Sequence, residues 1–256
     1  MKKKNVLIWV LIVFFGAVFV FSAYKTADAL LKYKKADDFY TDVRDSYVSD
    51  ASHEEGTEAT SEESTEEKEA LPVSVDFEGL LQLNSDICGW IYCEDTRISY
   101  PVVQSEDNDY YLRRGLDGKY LVTGTVFADY RNGKPCDTQN YIVYGHYMKD
   151  GSIFGCFEKY REREYYEAHP VMYYLAPDES YKVELFAGLL TDINTFPYKT
   201  DFGEDYGEFL KWTVENSFFS SDVSVSEDDR IMTLSTCSYE YENARCVLLG
   251  KLTPVK

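Results

Sequence analysis

Thiol, imidazole and guanidinium groups together can carry acyl transfer through a thioester, and the chain of 256 residues holds six Cys and three His. Near its C-terminal end the segment Ile231 to Leu252, IMTLSTCSYEYENARCVLLGKL, reads as two β-like apolar runs separated by the polar loop SYEYENA. In an antiparallel return, the residue ending one strand faces the residue starting the next across about 4.8 Å. Cys237 and Arg245 occupy those two places. A thiol at a strand end beside a guanidinium is accessible and electropositive, which favours the nucleophilic thiolate. The same Arg cannot lose its proton and can donate to the oxyanion that forms when a thiolate adds to a carbonyl, a contribution of about 3–4 kcal/mol in acyl transfer.

Such a reaction also needs a proton donor to the leaving amine, and imidazole has the pKa for that task. His53 lies in a strongly acidic stretch and reads as solvated, and His169 precedes Pro170 at a strand entry and reads as structural. His146 follows the apolar run YIVY and a glycine, and opens a loop that ends at Asp150-Gly151, so it stands at a strand end as Cys237 does. Taken singly, a His in this place is as often structural as catalytic, and a Cys such as Cys237 is an inert core thiol more often than a nucleophile. Their combination with Arg245 carries the reading.

The elements that would position these groups are mostly short apolar runs bounded by turn residues: GWIYC, ISYPVVQ, GTVFADY, NYIVYGHY, VMYYL, YKVELFAGLL, DRIMTLSTC and RCVLLGKL. Eight runs in one domain beginning near residue 71 predict a mainly β fold, a closed or nearly closed barrel. Asp76 to Asn84 has the spacing of a short helix, and Asp205 to Phe219 predicts one helix inserted before the last two strands.

Ahead of this domain, Val6 to Ala23 is an uncharged apolar run of 18 residues preceded by Lys2, Lys3 and Lys4, about the minimum that crosses a bilayer. Residues 6–24 are therefore expected to span a membrane, with residues 1–5 cytoplasmic and the remainder outside. A cleaved signal peptide is the rival reading, disfavoured by the length of the run and the lack of a clear A-x-A site. Residues 25–48 are weakly amphipathic and predict a juxtamembrane helix, and 49–70, rich in Glu, Ser and Thr, predict a disordered acidic tether.

The net charge of −19 is uneven: +6 over residues 1–35, −11 over 36–70 and −14 over 71–256. An acidic body without a basic patch disfavours nucleic acid as a partner. The cysteines lack the density of a disulfide framework, and Cys88 and Cys93 lack the second close pair or nearby His of a zinc site, so no metal or other cofactor is expected. Strand alternation should turn Cys246 away from Cys237, although a disulfide between them would silence the site.

YGHYMKDGSIFG around His146, and TLSTC with a following Arg, resemble the catalytic segments of class B sortases. GWIYCEDTRISYPVVQSEDNDYYLRR and GTVFADYRN extend the resemblance, which covers nearly all of residues 76–252. It implies an eight-stranded sortase β-barrel with Cys237 as nucleophile, His146 as acid/base and Arg245 as stabiliser, in residues 71–256. It further suggests that Asn108, Ser235 and Thr236 line the substrate groove or support the oxyanion, where a plain turn or strand-end hydrogen bond is the alternative. The implied partners are secreted proteins with a C-terminal sorting signal and a lipid-linked peptidoglycan precursor amine, at the outer face of a Gram-positive-type cell membrane. A pilus polymerase using a pilin Lys is the alternative within the family; a secreted cysteine protease or an inactive binding module are alternatives outside it.

Overall fold

The computed structural model describes residues 2–51, 70–238 and 242–255, with residues 2–7 and Cys237 described by their backbone. Helix α1 (Lys2–Tyr47) is followed by the short strands β1 (Val48–Asp50) and β2 (Val73–Val75), helix α2 (Phe77–Leu83), and strands β3 (Ile87–Tyr92), β4 (Ser99–Val103), β5 (Val126–Ala128) and β6 (Asn140–Tyr144). Then come α3 (Arg163–Ala168), β7 (Val171–Leu175), β8 (Ser180–Asp192), α4 (Tyr206–Glu215), β9 (Arg230–Cys237) and β10 (Ala244–Val255).

The eight apolar runs become β3 to β10, which close into a barrel in the order β10-β8-β7-β3-β4-β5-β6-β9. Most neighbours are antiparallel, but β4 pairs with β5 and β6 pairs with β9 in parallel. A parallel pair brings the C-terminal ends of both strands to the same rim, and it requires a long crossover between them. Between β6 and β9 that crossover is α3, β7, β8 and α4, the last of which is the helix predicted before the final two strands.

Alternation sorts each strand's side chains between two environments. Met232 and Leu234 of β9 and Cys246 and Leu248 of β10 fill the interior with Ile91, Val102 and Tyr174. Ile231, Val247 and Leu249 face outward and are covered by Phe202, Tyr206, Phe209 and Leu210 of the α4 region, where Phe202 stacks on Phe209 at 4.0 Å between ring centroids. Burial on both faces explains why these strands read as continuous apolar runs and not as alternating ones.

A third cluster lies between α1, α2 and the outer face of the barrel, and includes Val43, Leu80, Trp90 and Val103. Helix α2 starts where Asp76 Oδ1 accepts the backbone N–H of Gly79 at 2.9 Å, an N-cap that satisfies a helix-end donor. Helix α1 is one continuous helix of 46 residues through both N-terminal segments distinguished in the sequence. Its first half is long and apolar enough to cross a membrane, and Ile8 to Phe15 present apolar side chains outward. Its second half docks on the barrel through buried Ala36, Tyr40 and Val43, with the Tyr40 hydroxyl donating to the Gly124 carbonyl.

Most of the expected acidic tether, residues 52–69, lies outside the described residues. Its first residues do not behave as tether: Ser49 and Asp50 pair with Ser74 and Val73 in the β1–β2 ribbon. Local composition conceals this because V-S-D has neither length nor apolar alternation, and its partner lies more than twenty residues away.

Candidate active site

Three adjacent strands, β6, β9 and β10, end or begin at one rim of the barrel. Parallel β6 and β9 are in register at Tyr144 and Ser235, and the pairing continues one step beyond β6, where the Gly145 N–H donates to the Ser235 carbonyl at 3.1 Å. Two residues past that register pair are His146 and Cys237. Antiparallel β9 and β10 pair Cys237 with Arg245. The order His146, Cys237, Arg245 across the rim thus follows from strand topology.

Gly145 is required by its surroundings, since a Cβ there would stand 2.5 Å from a ring carbon of the fully buried Phe154. The loop beyond His146 turns on Gly151, with φ of 80°, and on Ile153, whose φ of 54° is unusual for a β-branched residue. Ile153 is held by its N–H to the Tyr100 hydroxyl at 3.0 Å, by a bridge to Tyr147 and by complete burial.

His146 and Arg245 open onto a cleft of about 340 Å³ that is also lined by Asn108, Ser235 and Thr236. The cleft's apolar wall comes from Leu112, Phe127, Tyr144, Ile193 and Tyr198, a lining suited to an extended peptide with few charges. All three sequence-derived groove residues reach it, in different bonding states. Ser235 Oγ pairs with the Tyr198 hydroxyl at 2.8 Å. Asn108 donates an amide proton to Asp129 Oδ2 at 3.0 Å and accepts the Tyr130 N–H at 3.0 Å, so much of its capacity is already used. Thr236 Oγ1 is buried and has no hydrogen-bond partner among the described residues, a state that costs about 1–3 kcal/mol unless a ligand supplies one.

Asp129, which sequence reading did not single out, organises this wall. Its carboxylate is fully buried and accepts from Arg131 Nε and Nη2 at 2.8 and 2.7 Å, from the Tyr144 hydroxyl at 2.9 Å and from Asn108. Burial alone would raise its pKa; the Arg131 contacts, with Tyr144 and Asn108, reverse that and hold it below the usual carboxylate range. Asp129→Ala would leave the Tyr144 hydroxyl and the Asn108 amide unpaired at half-buried positions. We expect it to lower stability by about 3 kcal/mol, with Asp129→Asn losing less, as read by urea denaturation.

His146 is pushed down to about 4, first by burial and then by the Arg113 guanidinium. The imidazole is therefore neutral in the resting cleft near pH 7, ready to accept a proton. An unfolded His titrates near 6.5, so between pH 6.5 and 4 the unfolded chain binds the extra proton and folding loses stability as pH falls. Allowing for partial solvent access, this group should remove about 2 kcal/mol between pH 7 and pH 4.5. His146→Asn should flatten that part of the pH–stability curve, measured by denaturant titration at both pH values.

Cys246, opposite Thr236 on β10, lies in the barrel interior with a free thiol, and burial raises its pKa. Alternation thus turns it away from the rim, as expected. Cys88, Cys93, Cys136 and Cys156 are likewise free.

These features describe a closed mixed barrel whose strands β6, β9 and β10 bring the backbones of His146, Cys237 and Arg245 to one rim. No protein-family model matches the chain. Sortase B of Listeria monocytogenes is 37% identical over 239 residues, covering 92% of each chain, and sortase B of Staphylococcus aureus is 35% identical over 183 residues, covering 70% of this chain and 75% of its own. Among solved structures, sortase B from B. anthracis superposes with a TM-score of 0.71 at 35% identity, over 88% of this chain and 99% of that one. The S. aureus sortase B–substrate complex gives a TM-score of 0.67 at 35% identity, over 70% and 85%. The chain belongs to the sortase B family and is a sortase-type cysteine transpeptidase.

Proposed function

We propose that this transpeptidase is anchored by α1 and cleaves a C-terminal sorting signal of L-P-x-T-G-like or N-P-x-T-x-like sequence after its Thr, with Cys237, His146 and Arg245 as the reacting groups. The observation that supports the assignment is the strand register, which pairs Cys237 with Arg245 and runs β6 alongside β9 up to the residue before His146, with His146 and Arg245 lining a peptide-sized cleft.

In the first half-reaction neutral His146 accepts the thiol proton of Cys237, and the thiolate sulfur adds to the Thr carbonyl carbon. The carbonyl oxygen becomes an oxyanion that accepts from Arg245, which lines the cleft with its Nη1 donating to the Ala244 carbonyl at 2.9 Å. Collapse breaks the peptide C–N bond, and the His146 imidazolium protonates the departing amine. The second half-reaction reverses these roles: His146 takes a proton from an incoming amine, which displaces Cys237 from the thioester and forms a new amide. A cell-wall precursor amine is the acceptor in this reading, suited to an enzyme held at the outer face of the membrane by residues 6–24, with the N-terminus cytoplasmic. Thr236 Oγ1, without a hydrogen-bond partner among the described residues, supports a contact with the bound signal.

Mass spectrometry of the acyl-enzyme trapped with a library of candidate signal peptides tests this directly. A fragment ending in Thr attached at Cys237 is the expected product, and cleavage elsewhere or no adduct would overturn the proposed specificity. Offering the trapped thioester a cross-bridge peptide amine or a pilin Lys then distinguishes wall anchoring from pilus assembly.

A further inference from the structure

Beyond the strand ends the sheet ceases to hold the site together. Among the described residues, the last backbone hydrogen bond between the β6 and β9 segments is that of Gly145 to Ser235; after it one chain leaves toward β7 and the other toward β10. His146 and Cys237 both lie past this bond, where the ladder no longer sets their separation.

Among the described residues, Glu158 crosses the gap. Glu158 Oε2 accepts from the Tyr147 hydroxyl at 2.9 Å, and Glu158 Oε1 accepts from Ser238 Oγ at 2.8 Å. Tyr147 directly follows His146, and Ser238 directly follows Cys237. Glu158 stands in the 3₁₀ turn Phe157–Arg161, between residues that cannot shift easily: Phe157 and Tyr160 are fully buried, and Phe157 stacks on Phe154 at 4.4 Å. Phe154 in turn donates its N–H to the His146 carbonyl at 3.2 Å, and Ser238 donates its N–H to the Ala244 carbonyl at 2.9 Å. The carboxylate thus joins two otherwise diverging segments to one rigid post through charge-assisted bonds.

We infer that Glu158 is a positioning residue that holds the His146 segment and the Cys237 segment at the separation proton transfer requires. The inference rests on the proposed pairing of His146 with Cys237. It assigns Glu158 a role exercised through Tyr147 and Ser238, not through contact with substrate. A misplacement of about 1 Å between reacting groups lowers rates by up to about 100-fold, which sets the scale of the effect.

The test uses the full chain in detergent, with Cys237 alkylation by iodoacetamide followed by peptide mass mapping across pH, and thioester formation with L-P-x-T-G and N-P-x-T-x peptides. Glu158→Ala should slow thioester formation about 10- to 100-fold in kcat, with KM within about twofold, and alter the pH profile of Cys237 alkylation. Glu158→Gln can accept from one hydroxyl and donate to the other, so it should restore kcat to within about threefold. Tyr147→Phe and Ser238→Ala each cut one tie, and neither should add to the effect of Glu158→Ala when combined with it.

Native kcat and alkylation profile in a folded Glu158→Ala chain would overturn the inference. So would additive losses with the tie variants, a Gln variant as slow as Ala, or a loss that tracks a fall in thermal stability. Failure of the underlying reading looks different: the unmodified chain then forms no thioester, or His146→Ala keeps the full rate.

Discussion

Cys237→Ala should abolish thioester formation, lowering turnover by at least about 10⁴-fold while leaving the barrel folded. The change deletes the sulfur without touching the backbone pairing of Cys237 with Arg245, so β9 and β10 keep their register. No other thiol can substitute. Cys88, Cys93, Cys156 and Cys246 have their pKa values raised chiefly by burial, and half-buried Cys136 is pushed up to about 11 by the same cause. Intact-mass measurement after incubation with signal peptide should show one acyl adduct on the unmodified chain and none on the variant, with matching thermal unfolding. Full product formation by the Ala variant would sink every covalent mechanism for this chain.

Arg245→Ala should lower kcat by about 100- to 1,000-fold with KM nearly unchanged, because in the proposed mechanism the guanidinium acts on charge that develops only as the thiolate adds. It also faces Cys237 across the β9–β10 pair, so its loss should shift the pH profile of Cys237 alkylation upward. Arg245→Lys should recover only part of the rate, since an ammonium supplies charge without the planar fork of donors. The split is decisive: a rise in KM at constant kcat would make Arg245 a substrate anchor instead.

Much of this candidate site is legible in the sequence, and unevenly so. Cys237 and Arg245 belong to one strand-loop-strand segment, where antiparallel return alone makes them neighbours. His146 lies about ninety residues earlier, and its adjacency depends on a parallel pairing whose crossover includes two strands and two helices. No local pattern encodes such a partner choice; only the resemblance to class B sortases led there. All eight barrel strands were visible: most are buried on both faces and read as unbroken apolar runs, whereas the start of β8, where Lys182 and Glu184 alternate with buried Tyr181, Val183 and Leu185, reads by its period of two. What stayed hidden was polar and long-range. Asp129 sits inside the quoted segment GTVFADYRN, yet its partners Tyr144 and Asn108 lie 15 and 21 residues away. Tyr198 reaches Ser235 from a loop after β8 that has no periodicity of its own.

The unbroken run of α1 changes what determines the reach of the enzyme. Ala36, the first buried contact of the helix on the barrel, lies 13 residues beyond Ala23, the end of the apolar run, about 20 Å along a helix axis. In the proposed anchoring, with the apolar half in a bilayer, the barrel would ride on a stiff post of set height, fastened on one side by Arg97, which bridges Asp37 of α1 and the Asp150 carbonyl of the loop that begins at His146. Post and barrel meet directly, through buried Ala36, Tyr40 and Val43. The acidic sequence is flanked by described residues, Val48–Asp50 and Val73–Val75, that pair with each other as β1 and β2. Lengthening or shortening it should leave the working distance from the lipid surface unchanged, whereas inserting residues between Ala23 and Ala36 should lift and rotate the cleft by about 1.5 Å and 100° per residue.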